Sequence, residues 1–256
     1  MTEPHAMPTA LVDFDRWPYP PLCAHRGAGT LAPENTLAAM RVGASHGYAM
    51  FEFDVKLTAD GKPILLHDAT LDRTTSGRGF AGAATLAEIA QLDAGSWHSP
   101  AFAGEPVPTL ANVAAWLLAN DRMANVEIKP VPGREAETGA AVAIACAHLW
   151  RDAPVPPLLS SFSEDALAAA RDATPWLPRA LLLSRLPGDW PARLHRLGCV
   201  ALDANHTALD AATVARARAE RFRVVTYTAN DPARVAQLRE WGVDAVITDA
   251  VDLIRP

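Results

Sequence analysis

Cysteine is scarce in this chain, and its scarcity argues against two classes of protein. The 256 residues include three cysteines, Cys23, Cys146 and Cys199, and no Cys-x-x-Cys spacing occurs among them. A small and odd number of dispersed cysteines does not build a disulfide framework or a cysteine-rich zinc site. We therefore expect buried free thiols in a reducing compartment, and a cytoplasmic location.

Long apolar runs and a basic excess are also missing. No stretch reaches the roughly 20 apolar residues that span a bilayer. The N-terminus, MTEPHAMPTALVDFDRW, has neither the basic region nor the apolar run of a secretory signal. The net charge of −6 and the pI of about 5.7 argue against a general nucleic-acid binder. The sequence thus predicts no membrane insertion and no nucleic-acid partner, but it allows a local positive site for a small anion.

The chain does contain a regular alternation of strand and helix signals. Half of its residues are hydrophobic, so a substantial core can form. After an irregular arm over residues 1–20, eight strands that precede helices are predicted at Leu22–Arg26, Phe51–Leu57, Val126–Lys129, Leu158–Phe162, Arg179–Leu183, Val200–Asp203, Val224–Thr228 and Ala245–Thr248. This pattern favours an α/β protein folded as a (β/α)8 TIM barrel, with an open doubly wound sheet as the alternative. We expect a single domain over residues 1–256, with a small insertion after strand two, roughly residues 57–107.

The segment FEFDVKLTADGKPILLHD is the one around which the rest is organised. It predicts a strand, a tight turn and a returning strand. Glu52 and Asp54 stand two residues apart, so on a strand they share one face. Asp60-Gly61 predicts a two-residue hairpin turn, because both positions tolerate positive φ. His67 ends the returning strand, and buried acids beside it would need a cation or another partner.

Further polar residues fall where other predicted strands end. His25 and Arg26 end the first strand, and Glu127 and Lys129 stand two apart on the third. In a barrel, residues that end the strands converge on one face. Later strand ends carry Ser160, Ser161, Asp203, Asn205, Thr226, Tyr227 and Thr248, and His206 follows one of them as a weaker candidate for the mouth of a pocket. Each could be an ordinary polar residue, but the repeated placement favours a functional site.

Together these motifs resemble those of the glycerophosphodiester phosphodiesterases. The resemblance runs from about Pro21 to the C-terminus and is carried by AHRGAGTLAPENT, FEFDVKLTADGKPILLHD, LDRTT, PTL, VEIKP and VITDAVD. It implies a TIM barrel with a segment inserted after strand two. It also implies metal-dependent hydrolysis of a glycerophosphodiester to sn-glycerol 3-phosphate and an alcohol, in glycerophospholipid degradation.

The resemblance further implies roles for particular residues. Carboxylates of Glu52, Asp54 and Glu127 would hold a divalent cation, His25 and His67 would act as acid and base, and Arg26 and Lys129 would contact the phosphate. Tyr227 stands where the family often has tryptophan, and this departure bears on the alcohol pocket. On chemical grounds, three carboxylates suit a hard ion such as Mg²⁺ or Ca²⁺ rather than zinc.

Other functions are compatible with parts of the sequence. Gly27-Ala-Gly29-Thr-Leu-Ala32 matches G-x-G-x-x-A, and Glu52 follows about twenty positions later, as in a dinucleotide-binding oxidoreductase. Pro33 interrupts the loop where the helix of that motif should already run. A barrel that only binds phosphodiesters, and a lysophospholipase-D-like enzyme on the same barrel, are further alternatives. The lack of an apolar docking stretch favours soluble small-molecule substrates, and the oligomeric state is left open.

Overall fold

One nine-stranded sheet forms the centre of the protein. The computed structural model describes residues 12–256. The first eleven residues, which belong to the predicted arm and to the N-terminal segment that lacks a secretory signal pattern, lie outside the described residues. The strands are β1 Leu22–Ala24, β2 Met50–Leu57, β3 Pro63–Leu65, β4 Met123–Ile128, β5 Leu158–Ser161, β6 Arg179–Leu183, β7 Ala201–Asn205, β8 Arg223–Tyr227 and β9 Ala245–Thr248. Every strand pairing is parallel except that of β2 with β3, and β1 pairs with both β2 and β9, which closes a barrel of eight strands.

Helices follow the barrel strands and cover them. They are α1 Leu37–Ser45, the short α2 Leu86–Ile89, α3 Leu110–Ala119, α4 Glu135–Leu149, α5 Glu164–Ala173, α6 Trp190–Leu197, α7 Ala211–Ala219 and α8 Pro232–Glu240. Side chains of Thr36, Thr109 and Ser163 accept hydrogen bonds from the first turns, as N-caps do. The (β/α)8 barrel is therefore confirmed, and the open sheet is wrong. Among residues 12–256, none of the helices combines the length and apolarity needed to cross a bilayer.

The alternation along β2 separates core from site. Phe51, Phe53 and Val55 are fully buried against the helices. Met50, on the other face, joins an apolar cluster with Leu158 that fills the N-terminal end of the barrel. Since successive side chains of a strand point to opposite faces, the remaining inward positions of β2 are those of Glu52, Asp54 and Lys56, all three buried.

Two local features differ from the sequence predictions. The strand predicted over Leu22–Arg26 ends at Ala24, because His25–Gly27 forms a 3₁₀ turn in which Arg26 takes a left-handed φ of 50°. The hairpin turn has three residues rather than two. The Thr58 N–H donates to Lys62 O at 3.0 Å, and Gly61 has φ 72°, the left-handed residue that a three-residue hairpin loop needs.

The segment between β2 and α3 is an ordered excursion. Its strand β3 pairs antiparallel with β2, and short bridges join Thr70 to Phe80 and Asp93 to Pro106. A small core of its own contains Ile64, Leu66, Leu71, Ala81, Ile89, Ala94 and Val107. The excursion therefore has a small core of its own beside the C-terminal end of β2, while Leu65 of β3 packs into the barrel core.

Candidate active site

Three carboxylates meet inside the C-terminal end of the barrel. Asp54 lies beside Glu127 in the parallel register of β2 and β4, and Glu52 stands one inward position below Asp54. Oxygen atoms of all three side chains lie within 4.8 Å of one another. The three residues are buried. The convergence predicted from their spacing is observed, and the cluster could hold a metal ion.

Burial and repulsion oppose ionisation of this cluster. Burial, together with the charges of Asp54 and Glu127, raises the pKa of Glu52 well above its usual range. Burial and Asp54 raise the pKa of Glu127 to about 7. The Oε1 atom of Glu52 is buried without a hydrogen-bond partner among residues 12–256. A cation bound by oxygen ligands would satisfy this atom and relieve the repulsion, so these residues fit a hard divalent ion.

His25 reaches the cluster from the turn after β1. Its Nδ1 lies 2.6 Å from Asp249 Oδ1, and its Nε2 lies 3.7 Å from Glu52 Oε2. Burial alone would raise the pKa of Asp249, but the hydrogen bond from His25 outweighs this effect and the pKa is lowered. Because an ionised carboxylate only accepts hydrogen bonds, Nδ1 of His25 carries the proton and Nε2 faces the carboxylates.

His67 reaches the site from the loop after β3. Its Nδ1 lies 2.7 Å from Asp68 Oδ1, and Lys56 Nζ donates to the His67 carbonyl at 3.1 Å. Burial lowers the pKa of His67, against the opposing effect of nearby carboxylates. Both histidines thus bind a carboxylate through Nδ1, which leaves each Nε2 free to exchange a proton.

Two cations and an amide surround Asp54. Asn35 Nδ2 donates to Asp54 Oδ2 at 2.8 Å. Arg26 Nε lies 3.4 Å from the same oxygen, and Lys129 Nζ lies 3.6 Å from Oδ1. Burial alone would raise the pKa of Asp54, but the charges of Arg26 and Lys129 oppose this effect and the pKa is lowered. The residues expected to contact phosphate therefore stand directly beside those expected to hold the cation.

An open cleft of about 400 Å³ adjoins this cluster, a volume suited to a small molecule. Tyr227 packs edge-on against Phe162, with ring centroids 5.7 Å apart, and Lys129 Nζ lies 5.4 Å from the Phe162 centroid. The cleft is lined by His25, Arg26, His67, Glu127, Lys129, Phe162, Asn205, His206, Thr207, Tyr227 and Thr228. Tyr227 and His206 thus lie at the cleft, as expected from their positions after strands.

Further buried polar residues line a small cavity that Glu52 and Glu127 also line. Asp203 is fully buried, and neither of its carboxylate oxygens has a hydrogen-bond partner within residues 12–256. Burial raises the pKa of Asp203 well above its usual range, which favours the neutral acid. Asp203, Asn125 and Ser160 line a cavity in which a water centre can occupy about 20 Å³, enough for one water molecule.

The other polar strand ends have structural partners. Ser161 Oγ donates to Ile128 O at 2.7 Å, and Thr226 Oγ1 donates to Ala204 O at 2.6 Å. Thr248 Oγ1 donates to Asn230 Oδ1 at 3.1 Å. These three hydroxyls join neighbouring strands and loops, and they do not line the cleft.

The glycines of the G-x-G-x-x-A motif are explained by packing. Gly29 has φ +56°, and a Cβ built on it would lie 2.0 Å from Asp249 O. Gly27 has φ +101°, and its Cβ would lie 2.7 Å from the Ala39 Cβ. Glycine is therefore required where the loop after β1 meets the loop after β9 and helix α1. With a closed barrel in place of an open sheet, the dinucleotide interpretation loses its structural basis.

Sequence reasoning missed the partners of the proposed catalytic groups. Asp249 follows β9, which must lie beside β1 in a closed barrel, so strand order could have placed it next to His25. Asp68 is adjacent to His67 in sequence, yet adjacency gave no sign of their contact. Glu34 accepts from Arg26 Nη1 at 2.7 Å, and no periodicity marks a loop residue of this kind.

A (β/α)8 barrel whose strand ends join three carboxylates, two histidines and two cations has the architecture of a phosphoric diester hydrolase. The model of the "Glycerophosphoryl diester phosphodiesterase family" matches residues 25–253. The chain belongs to this family and is an enzyme of the glycerophosphodiester phosphodiesterase type.

Individual relatives agree over most of the chain. A glycerophosphodiester phosphodiesterase of Bacillus subtilis (strain 168) is 32% identical over 247 residues, which cover 90% of this chain and 83% of that protein. One of Caldanaerobacter subterraneus subsp. tengcongensis is 32% identical, over 88% of this chain and 92% of its own. A phosphodiesterase of Oleispira antarctica, solved with the product sn-glycerol-3-phosphate, is 35% identical, with TM-score 0.86 and coverage of 92% and 95%. The resemblance seen in the sequence is confirmed.

Proposed function

We propose that this chain hydrolyses glycerophosphodiesters to sn-glycerol 3-phosphate and an alcohol, with Mg²⁺ or Ca²⁺ held by Glu52, Asp54 and Glu127. The observation that carries the proposal is the convergence of these three buried carboxylates at a cleft that His25 and His67 also line. The Oleispira relative, solved with sn-glycerol-3-phosphate as its product, supports the same product here.

Charge neutralisation is the first requirement of this reaction, because the phosphodiester anion repels a nucleophile. A bound divalent cation would neutralise phosphate oxygens and acidify a coordinated hydroxyl. Arg26 can bind a phosphate oxygen with its guanidinium, and Lys129 supplies a point charge from the opposite side of Asp54. In our proposal these two cations orient the phosphate within the cleft.

The two histidines supply acid and base. His25 and His67 each bind a carboxylate through Nδ1, so each presents Nε2 toward the cleft. One Nε2 takes a proton from the nucleophile, and the other protonates the departing alcohol.

We further propose that the glycerol 2-hydroxyl of the substrate is the first nucleophile. A hydroxyl held next to the esterified carbon attacks with a large effective concentration. The phosphorus–alcohol bond then breaks, and a 1,2-cyclic phosphate of glycerol forms. Water subsequently opens the ring, with the roles of His25 and His67 reversed.

The residues that line the cleft indicate which substrates it can bind. Asn205, Thr207 and Thr228 give one side of the cleft a polar surface, while Phe162 and Tyr227 give an aromatic one. This mixture suits small glycerophosphodiesters better than lysolipids. We propose that Tyr227 contacts the substrate and that the enzyme acts in glycerophospholipid degradation.

Two proposals concern the protein as a whole. A cytoplasmic location is supported by the three buried, unpaired cysteines, Cys23, Cys146 and Cys199. A single domain over residues 1–256, with roughly 57–107 as an insertion, is supported by the one sheet that contains all nine described strands.

The test is an assay of released sn-glycerol 3-phosphate. Glycerophosphocholine, glycerophosphoethanolamine, glycerophosphoglycerol and glycerophosphoinositol are each incubated with the protein, with and without chelator, and then with Mg²⁺ or Ca²⁺ restored. We expect chelation to abolish release and the ion to restore it. Glu127→Gln should stay inactive, while Glu137→Gln, on the exposed face of α4, should match the unaltered protein. No release from any diester would overturn the proposed activity, and full activity after exhaustive demetallation would overturn the metal requirement.

A further inference from the structure

Arg73, in the inserted segment, binds two carboxylates at once. Its Nε lies 2.6 Å from Asp68 Oδ2, and its Nη2 lies 3.0 Å from Asp68 Oδ1. On its other edge, Nη1 and Nη2 donate to Glu34 Oε2 and Oε1 at 2.7 and 2.8 Å. Both contacts are bidentate, a geometry that the planar guanidinium of arginine provides and the ammonium of lysine does not.

Each of these carboxylates also binds a residue of the proposed active site. Asp68 Oδ1 lies 2.7 Å from His67 Nδ1, and Glu34 Oε1 accepts from Arg26 Nη1 at 2.7 Å. Arg73 is therefore the central member of a continuous chain that begins at His67 and ends at Arg26. The chain spans the loop after β1 and the loop after β3, which no strand pairing joins directly.

We infer that Arg73 is a positioning residue, which sets the orientation of both His67 and Arg26 from outside the barrel. This inference rests on the proposed function, which assigns a role in the reaction to each of the two residues that Arg73 positions. The side chain of Asp68 is 28% exposed and that of Glu34 is 13% exposed, and each carboxylate could rotate if its only partner were the active-site residue. The Arg73 guanidinium holds the planes of both carboxylate groups. It therefore determines how Asp68 faces His67 and how Glu34 faces Arg26.

The electrostatics agree with this role. The hydrogen bond from Arg73 is the main cause that lowers the pKa of Asp68, with His67 contributing less. Although burial opposes it, the hydrogen bond from Arg73 also lowers the pKa of Glu34. Both acids therefore stay ionised and act only as acceptors. Asp68 can then hold the Nδ1–H of His67, which leaves Nε2 unprotonated for exchange.

His25 is held differently. Its partner Asp249 accepts from the amide of Asn230, at 3.0 Å, and no arginine within residues 12–256 bridges Asp249 to a second acid. The loss of Arg73 should therefore affect His67 and leave His25 unchanged. This difference makes His25 an internal reference for the experiment.

The first measurement is independent of turnover. Imidazole ¹⁵N spectra of the whole protein are compared with those of Arg73→Met and of Arg78→Met. Arg78 belongs to the same insertion and is a matched control, since its side chain is 75% exposed and lies 3.9 Å from Asp72. We expect Arg73→Met to shift the His67 signals toward a mixture of tautomers, with those of His25 unchanged. His67 signals identical to those of the unaltered protein would overturn the inference, whether or not the protein hydrolyses any diester.

The second measurement separates positioning from stability. Arg73→Met should lower kcat about tenfold to a hundredfold, as loss of a group that orients an active-site residue does, while Arg78→Met should not. Arg73→Lys should recover part of the rate, and it also serves as the test variant if Arg73→Met unfolds. In a His67→Ala background, Arg73→Met should cause a clearly smaller fold-change than in the unaltered protein. An equal fold-change in both backgrounds, or a rate within twofold of the unaltered protein, would overturn the inference. Absence of activity in the unaltered protein would instead refute the proposed function and leave the spectral test in force.

Discussion

The Lys129 ammonium lies 2.8 Å from Glu127 Oε1 and 3.6 Å from Asp54 Oδ1. One cation thus touches two of the three clustered carboxylates, while Arg26 approaches Asp54 from the other side. Burial and Asp54 disfavour the ionised form of Glu127, and Lys129 partly offsets both effects. Lys129 can therefore act in two ways, by balancing the acids of the metal-free site or by binding the phosphate of the substrate.

Replacement of Lys129 distinguishes these two roles. We expect Lys129→Met to lower kcat about a hundredfold to a thousandfold, because it removes one electrostatic donor to the transition state. Lys62→Met, at an exposed position of the hairpin, is the matched control. Steady-state kinetics and melting temperature are measured together. A lower melting temperature with unchanged kinetics would show that Lys129 only balances charge.

Metal affinity should depend on pH near neutrality. Since the pKa of Glu127 is raised to about 7, a proton competes with the cation below that pH. The carboxylate is ionised above the pKa, so the affinity should be highest there and should fall about tenfold per pH unit below it. Calorimetric titration of Mg²⁺ and Ca²⁺ between pH 5.5 and 8.5 measures this slope. A dissociation constant that is the same across the range would contradict the prediction.

The two histidines should both be needed for turnover. His25→Ala and His67→Ala are each expected to lower kcat about a hundredfold or more, the usual effect of losing a general acid or base. The fold should be retained, because both side chains lie in loops after strands rather than in the core. His148→Ala, exposed at the end of α4, is the control. Near-normal turnover of either variant would remove that histidine from the mechanism.

The cyclic route predicts a strict substrate requirement. Glycerophosphocholine should be hydrolysed much faster than its 2-deoxy analogue, although the analogue should still bind as a competitive inhibitor. Both rates are measured as released choline, and detection of glycerol 1,2-cyclic phosphate by ³¹P NMR gives a second readout. Equal rates for the two substrates would mean that water attacks phosphorus directly.

The barrel was predictable because its signals are periodic. Two predicted strands, Arg179–Leu183 and Ala245–Thr248, match the structure residue for residue. Glu52 and Asp54 are two residues apart, so the two-residue period of a strand was enough to predict that both side chains share one face.

The loop contacts were not predictable in the same way. Arg26 lies in a left-handed conformation after β1, where a strand was expected, and this turn aims its guanidinium at Glu34. Arg73 was part of a recognised motif, but its bonds to Asp68 depend on side-chain rotamers and on how two loops pack. Such contacts have no period along the sequence. Only the partner of His25 could have been inferred, from the pairing of β1 with β9.

The contact between His25 and Asp249 determines the stage of folding at which the site can be complete. These residues are 224 positions apart and come together only when β9 closes the barrel on β1. During synthesis, the carboxylate cluster and both cations leave the ribosome long before the last strand does. A nascent chain can therefore assemble most of its strands and still lack an oriented His25, so catalytic competence would mark the final step of folding rather than an early one.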